Sequence, residues 1–249
     1  MTNRRVAVAG CGYWGRNLVR NYARLGALAA IHDPDPAAAA DFAQRHGVPA
    51  ESWAGILANP AIERLVIAAP AALHARLGAQ AWEAGKHAFV EKPLALTEAD
   101  VDALAVAAEE SGRMLMVGFN RRFAPLTREL GRALATRAGP LATVVTVNAG
   151  ALPADHWTHD AAQGGGRIVG EACHFIDLVR ALTASPITSL TATAAHTRDG
   201  RPVDDVAHLA LSFADGSVAA SHYRASGSRS FPKERVDGFF DGRTLTIDN

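Results

Sequence analysis

The first apolar run of the chain, Val6-Ala-Val-Ala9, has no polar interruption and leads straight into glycines at 10, 12 and 15. That is the pattern of a strand buried on both faces that turns into a helix. The helix would carry Trp14, Leu18, Val19, Tyr22 and Leu25 on one face and stop at Gly26. Similar short runs recur at Leu28-Ala-Ala-Ile31, Leu65-Val-Ile-Ala68, His87-Ala-Phe-Val90 and Met114-Leu-Met-Val117. Helical stretches separate them: Pro36 to His46 closed by Gly47, a short one capped by Ser52, Ala72 to Ala84 before Gly85, and Thr97 to Glu110 ended by Gly112. The alternation predicts a doubly wound sheet of six parallel strands, complete by about residue 119.

The period then changes. A helix is expected from Pro125 to about Ala138, followed by the alternating run Leu141 to Asn148, a Gly-rich loop through Gly166 and a helix from Glu171 to Leu182. From Ile187 onward the pattern is of strands and turns, with Asp215-Gly216 and Asp241-Gly242 as hairpin signals and a last strand at Ile247-Asp-Asn249. The expected architecture is therefore α/β: a parallel doubly wound domain over 1–119, then an α+β domain over 120–249 with an open, mostly antiparallel sheet.

Composition narrows the function classes. The 249 residues carry 25 basic and 25 acidic side chains with no basic run, so a nucleic-acid partner is not expected. No apolar segment approaches the roughly 18 residues of a membrane helix, and the first strand begins almost at once, which points to a cytoplasmic protein. Cys11 and Cys173 are too few for a disulfide framework, and His156 and His159 beside Asp155 and Asp160 have no cysteine with them, so no metal is expected. Lysine occurs only at 86, 92 and 233. Where a generic cation suffices the chain uses arginine, so each lysine marks a place suited to a compact ammonium.

The glycines give the first chemistry. Gly10 permits a tight turn, Gly12 lets backbone approach a pyrophosphate, Gly15 lets the helix pack closely, and Cys11 contributes its backbone to the same turn. Asp33 follows at the end of the second strand, about 20 residues on, where a carboxylate accepts ribose hydroxyls and repels a 2′-phosphate; NAD is favoured over NADP. The alternative for Asp33 is a turn or cap in Asp33-Pro-Asp-Pro36. Because ligands bind beyond the carboxyl ends of parallel strands, Ala68-Ala-Pro70 with His74, Glu91-Lys92-Pro93 and Gly118-Phe-Asn-Arg-Arg-Phe123 are the other segments of interest. His74 is either a cofactor contact or a helix cap.

Together these segments resemble the Gfo/Idh/MocA family of NAD(P)-dependent oxidoreductases. The resemblance implies a Rossmann domain and an open-faced α/β domain with substrate between them, and a Glu-Lys-Pro motif whose cis Lys92-Pro93 bond aims Lys92 at cofactor and substrate. It places the cofactor at Gly10, Cys11, Gly12, Tyr13, Trp14, Gly15, Asp33, Ala69, Pro70, His74, Glu91, Lys92, Pro93, Asn120 and Arg121. It also implies a catalytic histidine on the helix after a Gly-rich turn, here His174 in Gly164 to Asp177. Helical spacing would group Gly170, His174 and Asp177, and likewise Glu171 with His174. Many family members have an aspartate where this chain has Gly170, which leaves Glu171 and Asp177 as rival supports. Asn148, Asp155, His156, Trp157 and Glu171 would line the substrate, in a segment similar to a subgroup often fused to a zinc-type alcohol dehydrogenase-like portion.

The activity these residues imply is hydride transfer between nicotinamide and a secondary alcohol of a sugar, sugar nucleotide or polyol. His174 would act as base, with Lys92 polarising the oxygen and Asp177 in support. Two alternatives stand beside it: glycoside hydrolysis through transient oxidation by bound NAD, and a shortened NAD-binding protein without turnover. An exposed edge strand at the C-terminal end adds an expectation of self-association through the open sheet.

Overall fold

A computed structural model describes residues 5–153, 155–196, 198 and 202–248; Asn249 of the expected last strand lies outside them. The chain divides into two compact units, Met1–Gly118 and Phe119–Asn249.

The first unit contains β1 (Val6–Ala9), α1 (Gly15–Arg24), β2 (Leu28–His32), α2 (Pro36–His46), α3 (Trp53–Ala58), β3 (Arg64–Ile67), α4 (His74–Glu83), β4 (His87–Val90), α5 (Glu98–Ser111) and β5 (Leu115–Val117). Its strands form one parallel sheet in the order β2-β1-β3-β4-β5. Among the described residues this sheet has five strands, one for each of the apolar runs named above, not the six expected. Between α2 and α3 the chain makes only an isolated bridge, Ala50 to Ile31, because Pro49 and the capping Ser52 leave no run long enough for a ladder.

The apolar runs are continuous because both sheet faces are covered. Val6, Val8 and Val66 pack with Val19 and Ile31 on one side, while Ala7, Leu65 and Ile67 pack with Leu77, Trp82 and Leu104 on the other. Two members of the expected α1 stripe do not join this core: Trp14 and Leu25 are exposed. Asp35, Ser52 and Thr97 cap α2, α3 and α5 through their side chains. Lys86 is buried and donates to Asn59 O at 2.8 Å and Ile62 O at 2.6 Å, closing the end of α3. Burial lowers its pKa, and a compact ammonium fits between two carbonyls where a planar guanidinium would not.

The second unit contains α6 (Pro125–Leu134), β6 (Ala142–Asn148), a π-helical turn (Ile168–Ala172) running into α7 (Cys173–Thr183), and strands β7 (Ile187–His196), β8 (Pro202–Phe213), β9 (Val218–Arg224), β10 (Glu234–Phe240) and β11 (Arg243–Asp248). The sheet order is β11-β10-β6-β9-β8-β7. Among the described residues of this sheet the β6–β9 pair is parallel and the other pairs are antiparallel. One face packs Val145, Val147, Leu211, Tyr223 and Val236 against Leu130, Phe175 and Val179 of the helices. The hairpin at Asp241-Gly242 has positive φ at both residues, 47° and 70°, as a type I′ turn requires. Asp241 also explains why α6 ends at Leu134 rather than near Ala138: its carboxylate accepts the N–H groups of Ala138 and Gly139 at 2.8 and 3.1 Å, drawing them out of helical register.

Candidate active site

Backbone hydrogen bonds align the carboxyl ends of the first unit's strands. Gly10 N donates to His32 O, Ala68 N to Ala9 O, Glu91 N to Ile67 O and Gly118 N to Val90 O, at 2.8 to 2.9 Å. Every segment that follows a strand therefore starts from one edge of the sheet. The glycine turn is fitted to that edge. Gly10 has φ +99°, and a Cβ there would lie 2.5 Å from Ala68 O; a Cβ at Gly15 would collide with Gly10 O. Gly12 is the opposite case, since a Cβ there would meet nothing within 4 Å.

This cradle fits a dinucleotide. The space beside Gly12 is open, the N-cap of α1 is Trp14 with no side-chain cap bond, and its first turn has no acidic residue. Arg16 N and Asn17 N are spent on Gly12 O and Trp14 O, so what the turn offers a diphosphate is the open side of Gly12 and the positive end of the helix dipole. Asp33 Oδ2 accepts from Cys11 N at 2.7 Å and Oδ1 from Asp35 N at 3.0 Å. The turn role considered for Asp33 is therefore real, but each oxygen keeps a lone pair for a hydroxyl. Asp33 also acts, after burial itself, to push the Cys11 thiol up to about 12, so Cys11 stays a neutral member of the turn. Tyr13 is exposed, under the guanidinium of Arg16.

Several expected cofactor residues instead frame the site. Glu91 is buried and accepts Trp14 Nε1 at 2.6 Å and Lys92 N at 3.2 Å, and its carboxyl group fills the space a Cβ on Gly118 would need. It thus ties the glycine turn to the exits of β4 and β5. Burial raises its pKa, against the indole and the Lys92 amide and charge. His74 is 1 % exposed, with Nδ1 2.7 Å from Pro93 O and Nε2 2.9 Å from Ala69 O. Both ring nitrogens face backbone carbonyls, and the one that carries the proton donates, so His74 bridges the loops after β3 and β4. Burial lowers its pKa. Lys92 is partly buried, and the Lys92-Pro93 peptide is cis, as the resemblance implied.

In the second unit the charges answer one another. Arg121 pairs with Glu234 and lies over the Phe175 ring, 4.3 Å from its centre; Arg122 makes a two-point pair with Asp177, one arm Nε to Oδ2 at 2.6 Å. Both arginines of the Gly118 to Phe123 segment therefore serve the second unit's own fold, and Asn120 beside them is exposed. Asp177, expected to support His174, is paired with Arg122 on both carboxylate oxygens. Glu171 accepts Tyr223 Oη at 2.8 Å, Arg167 Nη2 at 2.8 Å and Lys233 Nζ at 3.1 Å. Burial would raise its pKa, but Lys233, Tyr223 and Arg167 outweigh that and hold it below the usual value.

The helical face drawn through Gly170, Glu171, His174 and Asp177 assumed 3.6 residues per turn. The π turn through Ile168–Ala172 is wider, so the positions before and after Cys173 do not share one stripe. His174 is half-buried, edge-on to Phe119 with ring centres 6.0 Å apart. Asn148 is a loop clamp: Nδ2 donates to Ser228 O at 2.7 Å, and a Cβ at Gly227 would strike its Oδ1. His156 caps the short turn Trp157–His159 through Thr158, Trp157 is 54 % exposed, and Asp155 is exposed. Sequence reasoning missed Trp14 with Glu91, the two arginine pairs, and Arg167 and Tyr223. Only Lys233 carried a signal, as one of three lysines. Among the described residues no group of three metal-ligating side chains is assembled, and no helix is long and apolar enough to cross a membrane.

The fold and cradle define a protein with a Rossmann dinucleotide-binding unit followed by a mixed-sheet α+β unit. Residues 4–119 match the oxidoreductase family model with an NAD-binding Rossmann fold, and 133–237 match the Gfo/Idh/MocA C-terminal domain. The chain belongs to the Gfo/Idh/MocA family. It is 32% identical over 201 residues to scyllo-inositol 2-dehydrogenase (NAD(+)) of Bacillus subtilis, covering 75% of this chain and 56% of that protein. It is 33% identical over 171 residues to inositol 2-dehydrogenase of Rhizobium meliloti, covering 68% and 51%. Among solved structures, UDP-N-acetylglucosamine 3-dehydrogenase GnnA of Acidithiobacillus ferrooxidans superposes with a TM-score of 0.84 at 25% identity, over 100% of this chain and 78% of that one. The chain thus spans about half the length of the curated relatives it matches.

Proposed function

We propose that the chain is an NAD-dependent oxidoreductase acting on a secondary alcohol of a sugar, sugar nucleotide or polyol. The observation that carries this reading is the open, uncapped cradle at Gly12 with Asp33 fastened beneath it. Bound nicotinamide would supply the two-electron acceptor. Asp33 places negative charge where a 2′-phosphate would sit, which favours NAD over NADP. Lys92, carried by the segment that Glu91 and His74 hold in place, polarises the alcohol oxygen through Nζ. His174 accepts the hydroxyl proton on Nε2, Nδ1 being enclosed in the fold. The inositol and UDP-sugar dehydrogenases among its relatives support this substrate class. The purified chain with NAD and a panel of inositols, aldoses and UDP-sugars is expected to give NADH with at least one; no NADH across the panel, with NADH binding intact, would reject turnover.

The same reading includes self-association through the uncovered sheet face, in the cytoplasm. That face presents Phe239, Ala142 and Val218 side by side on β10, β6 and β9, with Phe239 43% and Val218 51% exposed. Light scattering is expected to give at least a dimer, and Val218→Glu to yield monomer; a wild-type monomer would remove this part of the reading.

A further inference from the structure

We infer that the second unit holds a built anion subsite, in which Arg229 and Lys233 beside the ring of Phe231 receive a carboxylate or phosphate carried by the substrate. The inference deepens the dehydrogenase reading, on which the term substrate rests. A groove of about 460 Å³ runs past Asn148, Gly150, Arg229, Ser230, Phe231 and Lys233. No carboxylate lines it.

The loop that carries the two cations is fixed at several points. Asn148 N donates to Lys233 O at 2.7 Å, and Asn148 Nδ2 holds Ser228 O at 2.7 Å. Gly227 has no room for a Cβ against the Asn148 amide. Gly150, at φ +74°, lets the Arg229 stem lie against it, with Cγ 3.0 Å from where a Cβ would be. Arg229 Nη2 then donates to Ala151 O at 2.6 Å. An exposed arginine that served only solubility would need none of this; here its stem is held while most of its five donors stay open to a ligand.

The charge balance points the same way. Glu171 is the acidic group bonded to Lys233, and it is shared with buried Arg167 and the Tyr223 hydroxyl. Among the described residues Arg229 has no carboxylate partner. The groove therefore presents surplus positive charge, and Lys233, 49% exposed along its side chain, has donors left after Glu171. Phe231, 62% exposed, offers an apolar face to the body of the same ligand. Glu171, the partner of Lys233, lies in the π turn that runs directly into α7, the helix that carries the proposed base.

The test is equilibrium binding to the full chain with D-glucose, D-glucuronate, D-glucose 6-phosphate and inorganic phosphate as probes. The sugar acid or the sugar phosphate is expected to bind at least about tenfold more tightly than glucose, the scale of a charge-assisted contact. Which of the two gains more separates a carboxylate from a phosphate ligand. Arg229→Gln should abolish the advantage without changing glucose binding, Arg229→Lys should retain part of it, and added salt should erase it in the wild type. Equal binding of glucose and both anions, binding of inorganic phosphate alone, an advantage that survives Arg229→Gln, or no binding by any probe would overturn the inference. Salt dependence decides the matter if Arg229→Gln fails to fold. NADH formed from neutral polyols as readily as from their acids would sink the subsite and leave the dehydrogenase reading standing. Preferred binding of the anionic sugars with no NADH from any alcohol would do the reverse.

Discussion

At the glycine turn of the first unit, the groups set out for a ligand belong to the backbone. Gly12 faces open space, α1 has no side-chain cap, and the nearby side chains Glu91, Trp14 and His74 are spent on holding loops. Around the π turn of the second unit the groups are side chains, and Glu171 alone is bound by Lys233, Tyr223 and Arg167. A backbone cradle tolerates almost any side chain that leaves its glycines alone. A charged network depends on every member, because a buried charge without its partner costs more than the pair contributes.

The sharpest way to break this contrast is Gly15→Ala. Its Cβ would meet Gly10 O, a backbone atom that cannot rotate away, so a loss of roughly 3 kcal/mol in the first unit and loss of NADH binding are expected. Thermal unfolding and fluorescence titration would show both.

Glu171→Gln comes next. It leaves Arg167, 1% exposed, facing a neutral amide, with an expected cost of about 2–3 kcal/mol to the second unit and little change in NADH binding. The pH dependence follows from the lowered pKa of Glu171. Its contribution is full above the ordinary value of 4.5 and is lost as pH falls through the lower folded value. Wild-type stability should therefore fall more steeply than the variant's in acid denaturation below that point, and parallel curves would contradict the network.

Arg122→Ala removes the partner of Asp177, which is buried while Arg122 itself is about one-third exposed. About 2 kcal/mol is expected, smaller than for Glu171 because water can reach the vacated side. Denaturant titration measures it, and Asp177→Asn in the same background should recover part of the loss.

The smallest stability effect belongs to Gly12→Ala. Nothing in the protein lies within 4 Å of the added methyl, so stability should stay within about 0.5 kcal/mol. NADH affinity should nonetheless fall about tenfold, since the methyl occupies space proposed for the diphosphate. A stable variant with unchanged affinity would show that the cradle is not where the dinucleotide lies.

The same contrast explains what could be read from the sequence. Glycines at 10, 12 and 15 and the carboxylate at 33 are local signals, fixed by φ, by close approach and by strand period, and the strands and caps of the first unit follow from such signals too. The pairs Arg121 with Glu234, Arg122 with Asp177 and Glu171 with Tyr223 join residues 52 to 113 positions apart. No local pattern announces them, and they are fixed only once the mixed sheet has chosen its order. The π turn was hidden because Ile168 to Asp177 has an ordinary helical composition. At His74 and Asn148 the sequence leaves two readings open, because a polar residue beside a strand end serves equally as a ligand or as a clamp; the hydrogen bonds of both show the clamp.

The central claim is that the first unit binds NAD through its backbone while Lys92 and His174 supply the chemistry. Its most direct test is to measure NADH binding and NADH formation in parallel for the wild type, Lys92→Ala and His174→Ala, using an alcohol the wild type oxidises. NADH affinity within about threefold of wild type in both variants, with turnover reduced at least about a hundredfold, is the expected result. Turnover in either variant close to that of the wild type, with binding intact, would contradict it.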